Sequence, residues 1–199
     1  VGDKIYDKIG SFADLSGLLT GALNEYNEVN AVMDLVLFQD AMRHVSRISR
    51  IIESPGGHAL LVGVGGMGKQ SLSKLATFVA GFAVFQIVIS ATYGVNDLRN
   101  DLQVIYKKAG LKGEGISFLF TDSQITNERF LVFMNDLLSS GNIPGLFPPE
   151  DQDDIINGIR PAVKRSGISD TRDNCWDFFI NQVRANLHVV LCFSPIGDP

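Results

Sequence analysis

The sequence predicts an α/β fold, a parallel sheet covered by helices on both faces in three layers, and three observations carry that prediction. Short, continuous apolar runs near 58–63, 84–89, 116–121 and 188–193 alternate with stretches of helical periodicity. The run Gly63-Val-Gly-Gly-Met-Gly-Lys69 follows the first apolar segment and precedes a helical stripe, with the full G-x-x-x-x-G-K spacing of a phosphate-binding loop. The third apolar run delivers a carboxylate, Asp122, about fifty residues after Lys69.

The elements follow in order. Leu15, Leu18, Leu19, Ala22, Leu23 and Tyr26 form a helical stripe, and residues 1–30 are expected to be a helical extension packed outside the sheet. Residues 31–199 are then the α/β unit proper. A second helix is predicted over 39–53, with Ala41, Val45, Ile48 and Ile52 on one face and Pro55-Gly56-Gly57 closing it. Leu72, Leu75, Ala76 and Val79 place a helix directly after the glycine loop. Asn96 is expected to cap the next helix, which carries Leu98, Leu102 and Ile105 and is closed by Gly110. Thr126 is expected to cap a helix bearing Phe130, Met134, Leu137 and Leu138. The stretch 143–154 reads as an acidic, proline-rich loop, followed by a short helix ending before Pro161. A longer helix carries Trp176, Phe179, Ile180, Val183 and Leu187 into the last strand.

Glycines let the loop backbone curl until successive N–H groups face one anion, and the helix that follows adds its positive N-terminal end. Gly63, Gly65, Gly66, Met67, Gly68, Lys69, Gln70 and Ser71 are therefore the candidate phosphate-binding residues, with Lys69 reaching the outer phosphates. Gln70 stands where a Ser or Thr hydroxyl ordinarily meets magnesium. It offers only a neutral amide oxygen on a longer arm, and Ser71 lies about 100° further round the helix. Asp122 is the candidate magnesium carboxylate; the plainer alternative is a strand-end Asp capping a turn. The next position, commonly a Glu that activates water, is Ser123, and a serine hydroxyl is no base near neutral pH without its own activator. Ser194 leaves the last strand where a polar sensor can face the outer phosphate, or is simply a strand-exit serine. Glu128 is read chiefly as a solvated first-turn carboxylate. His44, His58 and His188 share no ligand spacing and read as structural. Arg160, Lys164, Arg165 and Arg172 form a loose basic cluster read as a solvated face.

Composition narrows the class. The chain has 199 residues, 45% of them hydrophobic, and a net charge of −5, so one α/β domain with a real core fits and a nucleic-acid platform does not. No run of eighteen apolar residues occurs, which argues against a membrane span. Cys175 and Cys192 lack metal-ligand spacing and read as buried thiols of a protein in a reducing compartment. The opening Val1-Gly2-Asp3 without Met and the stop at Pro199 read as the ends of a piece of something larger.

Several stretches together are more specific than the glycine loop. They are Leu35-Val-Leu-Phe-Gln-Asp-Ala41, Gly57 through Ser71, Phe118-Leu-Phe-Thr-Asp-Ser-Gln-Ile125, Asn135-Asp-Leu-Leu-Ser-Ser-Gly-Asn-Ile-Pro-Gly-Leu-Phe147, Asp170-Thr-Arg-Asp-Asn-Cys-Trp176 and Val189-Val-Leu-Cys-Phe-Ser-Pro195. On these the chain resembles the AAA+ modules of the dynein heavy chain ring, most closely the fourth, over nearly its whole length. Ser123 after the strand-end Asp, paired with Ser194-Pro195, resembles axonemal rather than cytoplasmic chains.

The resemblance implies a P-loop NTPase large subdomain in a six-module ring, with the small subdomain and the stalk outside this chain. It implies ATP or ADP with Mg2+ as ligands, and Val36 and Leu37 lining an adenine pocket. It implies neighbouring modules of the same heavy chain and dynein accessory chains as partners, with microtubules reached indirectly through the stalk and neither nucleic acid nor membrane bound. The expected place is cytoplasm and cytoskeleton, in the axoneme of a cilium or flagellum. Departures at Gln70, Ser123 and Ser194 weaken hydrolysis rather than binding, so a regulatory nucleotide-binding module is expected. An active hydrolase and a purely structural ring spacer are the alternatives.

Overall fold

The computed structural model describes residues 8–195. Four strands form one sheet: β1 (Ala59–Val62), β2 (Ala83–Phe85), β3 (Ile116–Thr121) and β4 (Leu187–Phe193), in the spatial order β1-β4-β3-β2. All three pairings are parallel, with Val62 opposite Phe193 and Thr121 opposite Cys192. The predicted parallel α/β architecture is therefore present. Asp122 leaves the sheet one strand away from the glycine loop, with the exit of β4 between them.

Helices α1 (Phe12–Val29), α2 (Gln39–Ile52) and α3 (Lys69–Ala80) cover one face, and α4 (Val95–Leu111), α5 (Arg129–Ser139), α6 (Pro149–Arg165) and α7 (Arg172–Asn186) the other. Strand side chains alternate between faces, so a strand buried on both sides must be apolar at every position. Phe118, Phe120 and Val189 join the α4–α7 core, while Leu119, Val190 and Cys192 join the α1–α3 core. That division explains why β3 and β4 read as largely hydrophobic runs, with Ser117, Thr121 and His188 as buried polar exceptions. Of the expected 1–30 extension, residues 1–7 lie outside the described residues; α1 packs through Leu19 with α2 and α3, and the edge of Tyr26 meets Phe78 at 5.5 Å.

Several expectations need correction. The second strand stops at Phe85 instead of continuing to 89. Ile87 is buried beyond it, but its carbonyl accepts from the Gln124 side chain at 2.8 Å and not from a ladder partner, so its apolarity records burial without a strand. The segment 143–154 is not all loop: α6 starts at Pro149, because proline suits the first helical position and Glu150 and Asp151 favour the positive end of the dipole. The same helix runs through Pro161. Its buried stripe of Ile155, Ile156, Ile159 and Val163 outweighs the local cost, and Pro161 sits on the exposed side.

Caps differ as well. The α4 cap is Gly94, whose N–H donates to Asp97 Oδ2 at 2.8 Å, so Asn96 is not the capping residue. Ahead of α5, Asn127 Oδ1 rather than Thr126 accepts the Arg129 N–H, at 2.9 Å. Gly110 does not close α4 but lies inside it, where a Cβ would come 2.2 Å from the Phe179 ring. Glycine there lets α4 and α7 approach closely.

Candidate phosphate-binding site

The site is assembled at the C-terminal ends of β1, β3 and β4. The Gly63 N–H donates to the Phe193 carbonyl at 3.1 Å, which roots the glycine loop on β4. Gly66 (φ +81°) and Gly68 (φ +72°) adopt the left-handed conformation that side-chain-bearing residues rarely hold, so the curl of the loop requires glycine there. Lys69 then opens α3, and its Nζ donates back to the carbonyls of Gly63 and, at 3.0 Å, Val64. The amine is thereby held across its own loop.

Opposite it, Asp122 begins a 3-10 turn over Asp122–Gln124 at the end of β3. Its Oδ2 accepts the Ser194 N–H at 2.7 Å and its Oδ1 the Ser123 N–H at 2.8 Å. The Ser194 contacts first, then the Ser123 N–H and the positive field of Lys69, hold this carboxyl below its ordinary pKa. Asp122 is therefore an anion across the neutral range. Ser123 Oγ lies 2.9 Å from Thr121 Oγ1, and Gln70 Oε1 accepts from Gln86 Nε2 at 3.0 Å.

These groups surround a cleft of about 490 Å³. It brings together Gly65, Gly66, Met67, Gly68, Lys69, Gln70, Ser71, Asp122, Ser123 and Ser194, all singled out from the sequence. Gly63 sits at the root of the loop, outside the lining. Val36 and Leu37 do not line the cleft either: Val36 is exposed, while Leu37 packs against the α1–α3 core. Lys74, Thr121 and Cys192 line it without having been foreseen. Lys74 is legible in retrospect, three residues after Ser71 on the same helical face, and Cys192 through its register opposite Thr121. Glu128 is exposed and outside the lining.

The donor set fits a phosphorylated ligand. A curled loop of amides, the Lys69 amine and an ionised Asp122 face one space, which suits phosphate oxygens with a cation between them and the carboxylate. Among the described residues no group of three or more His, Cys, Asp or Glu side chains could hold a metal alone. Magnesium is commonly held by one or two carboxylates together with substrate phosphates, so Asp122 satisfies the protein's share.

Several of the other candidates have structural partners. His58 Nδ1 accepts the Val189 N–H at 2.9 Å, and the His188 ring contacts the carbonyls of Gly57 (2.8 Å) and Ala185 (3.2 Å). Burial, then the neighbouring His188 and Arg184, lower the His58 pKa to about 4. Arg160 and Lys164 pair with Asp170, and Arg172 with Asp153. Cys175 and Cys192 are free and buried. No helix among the described residues is long and apolar enough to cross a membrane.

Comparison with known proteins agrees with this geometry. The family described as P-loop containing dynein motor region D4 matches residues 33–199, a span that holds the whole cleft. The dynein alpha chain of the flagellar outer arm of Chlamydomonas reinhardtii is 58% identical over 98% of this chain. This chain belongs to the family of P-loop containing dynein motor regions of type D4. Dynein axonemal heavy chain 17 of Homo sapiens is 55% identical over 100% of the chain, and the ciliary dynein beta chain of Tripneustes gratilla 54% identical over 99%. The chain spans about 4% of the length of each of these dynein relatives.

Proposed function

We propose that this dynein chain is the nucleotide-binding large subdomain of the fourth AAA+ module in the motor ring of an axonemal heavy chain, and that it binds ATP or ADP for regulation with very slow hydrolysis. The observation that carries the reading is the pairing of a complete phosphate cradle with a single cleft carboxylate. Asp122 lines the cleft, but the position beside it is Ser123, whose hydroxyl is engaged by Thr121.

In this reading the loop amides and Lys69 bind the phosphates, with phosphate oxygens taking over from the Gly63 and Val64 carbonyls as acceptors of the lysine. Asp122 would hold magnesium, which would supply neutralisation of the phosphate charge. Ser194 acts through its backbone N–H, fixing the Asp122 carboxylate. No lining side chain is suited to take a proton from an attacking water, and loss of a general base typically costs about 10²–10⁴ in rate. The site therefore retains ligand and turns it over slowly. As part of a heavy chain, the module would sit between neighbouring modules of one ring in the axoneme of a cilium or flagellum. It would act on the microtubule only through other parts of that polypeptide and with dynein accessory chains.

The test is single-turnover ATP hydrolysis by the intact heavy chain with the other nucleotide sites disabled. Tight binding with turnover far below one per second is expected. Hydrolysis at several per second would overturn the regulatory reading, and absence of nucleotide binding would leave only a structural ring module.

A further inference from the structure

The chain leaving β2 is held by two glutamine contacts, one to Gln70 and one from Gln124, that the phosphate site itself does not require. Gln70, in the first turn of α3, accepts from Gln86 Nε2 at 3.0 Å. Gln86 is half-buried, with Phe85 before it paired to Phe118 in the sheet and Ile87 after it 3% exposed. The Ile87 carbonyl accepts from Gln124 Nε2 at 2.8 Å, while Gln124 Oε1 accepts the Thr121 N–H at 3.0 Å. Gln124 is itself only 8% exposed. The backbone on both sides of Gln86 is thus fixed, on one side by the ladder and on the other by a buried amide that also holds the last residue of β3 before Asp122.

From this fixed backbone the Gln86 amide reaches the exposed Gln70 side chain through a contact at the surface. We infer that Gln86 is a positioning residue of the phosphate site, which holds the Gln70 amide oxygen on the exit of β2 and so withholds it from a magnesium ion at the phosphates. This inference rests on the nucleotide-binding reading above and adds to it how the unusual residue at the metal position is kept in place. Gln70 would have to exchange an existing hydrogen bond for a metal contact, and magnesium tolerates poor ligand placement badly. Nucleotide affinity should then depend little on magnesium, with the metal held chiefly through Asp122 and phosphate oxygens.

The experiment measures ADP affinity of the intact heavy chain, its other nucleotide sites disabled, in magnesium and in EDTA. In Gln86→Met the amide partner is gone and the Gln70 oxygen is free to turn. The enhancement of affinity by magnesium should rise roughly two- to tenfold, the worth of one net hydrogen bond, while affinity in EDTA stays unchanged. In a Gln70→Met background the same Gln86→Met change should leave the enhancement unaltered, since coupled residues are not additive. An unchanged or reduced enhancement in Gln86→Met overturns the inference, as does an equal fall of affinity with and without metal, which would mark Gln86 as mere packing. Failure of the unsubstituted chain to bind ADP at all would overturn the nucleotide-binding reading, and this inference with it.

Discussion

Replacing Lys69 by alanine should remove most nucleotide affinity while leaving the fold intact. The lysine is the cation that the loop itself contributes to the cleft, and its amine is donated to the Gly63 and Val64 carbonyls, so it already lies across the mouth of the loop. A hydrogen bond to a charged phosphate is worth about 1.5–3 kcal/mol net. At about 1.4 kcal/mol per decade of binding constant, that is a loss of roughly ten- to a hundredfold. Lys74 also lines the cleft and supplies a second positive charge, which favours the lower half of that range. The two loop carbonyls released by the substitution lie near the surface and can turn to water, so thermal stability should change little. Calorimetric titration of ADP into the intact heavy chain and into Lys69→Ala, with unfolding monitored in parallel, reads both quantities. Unchanged affinity in a folded variant would refute the reasoning, because it would mean that the glycine loop does not address the phosphates.

Ser123→Glu combined with Gln70→Thr should raise single-turnover hydrolysis at this site by up to about 10²–10⁴, the range attributed to a general base; no gain would place the defect elsewhere. Gly110→Ala should destabilise the chain by about 1–3 kcal/mol through overpacking against Phe179, read as a lower urea midpoint. His58 should make stability rise with pH. Its folded pKa of about 4 lies below the ordinary 6.5, so the unfolded chain binds the extra proton, and the contribution is full above 6.5 and disappears as pH falls toward 4. His58→Asn should flatten that limb of the unfolding profile. Asp122 acts at lower pH with the same sign: its depressed pKa means stability present above the ordinary carboxylate range and lost on further acidification, so Asp122→Asn should remove that dependence.

The cleft was legible because its glycine loop is one local motif and its other residues leave the ends of neighbouring parallel strands. Gly65 to Ser71 must curl where the glycines are, and Asp122 and Ser194 must lie near the loop once their strands run parallel to β1. What was not legible depends on distant partners. The end of β2 could not be read from Val84 to Ile89, because apolar side chains signal burial whether or not the backbone pairs, and here Gln124 replaces the ladder at Ile87. The continuation of α6 through Pro161 was hidden for a related reason: the local proline penalty is visible in sequence, but the burial of Ile159 and Val163 that outweighs it is tertiary. Lone capping residues misled at Asn96, which lies inside a helix begun at Gly94 with Asp97 on the Gly94 N–H, and at Thr126, where Asn127 takes the Arg129 N–H.

The position of β4 bears on how the chain acquires its structure. It is the last strand in sequence, yet among the described residues it lies between β1 and β3, which do not pair with each other. During synthesis from the N-terminus, β1 with α1–α3 and the β2–β3 pair with α4 and α5 can therefore meet through α3 but not through the sheet, leaving two clusters with open strand edges. The register that sets Val62 against Phe193 and Thr121 against Cys192 forms only once residue 193 has cleared the ribosome. Pairing over such sequence distances is slow, and unpaired strand edges left open meanwhile invite association. Truncations that remove β4 should consequently yield aggregation-prone chains, whereas Leu187–Phe193 supplied as a strand would be expected to drive the two clusters together.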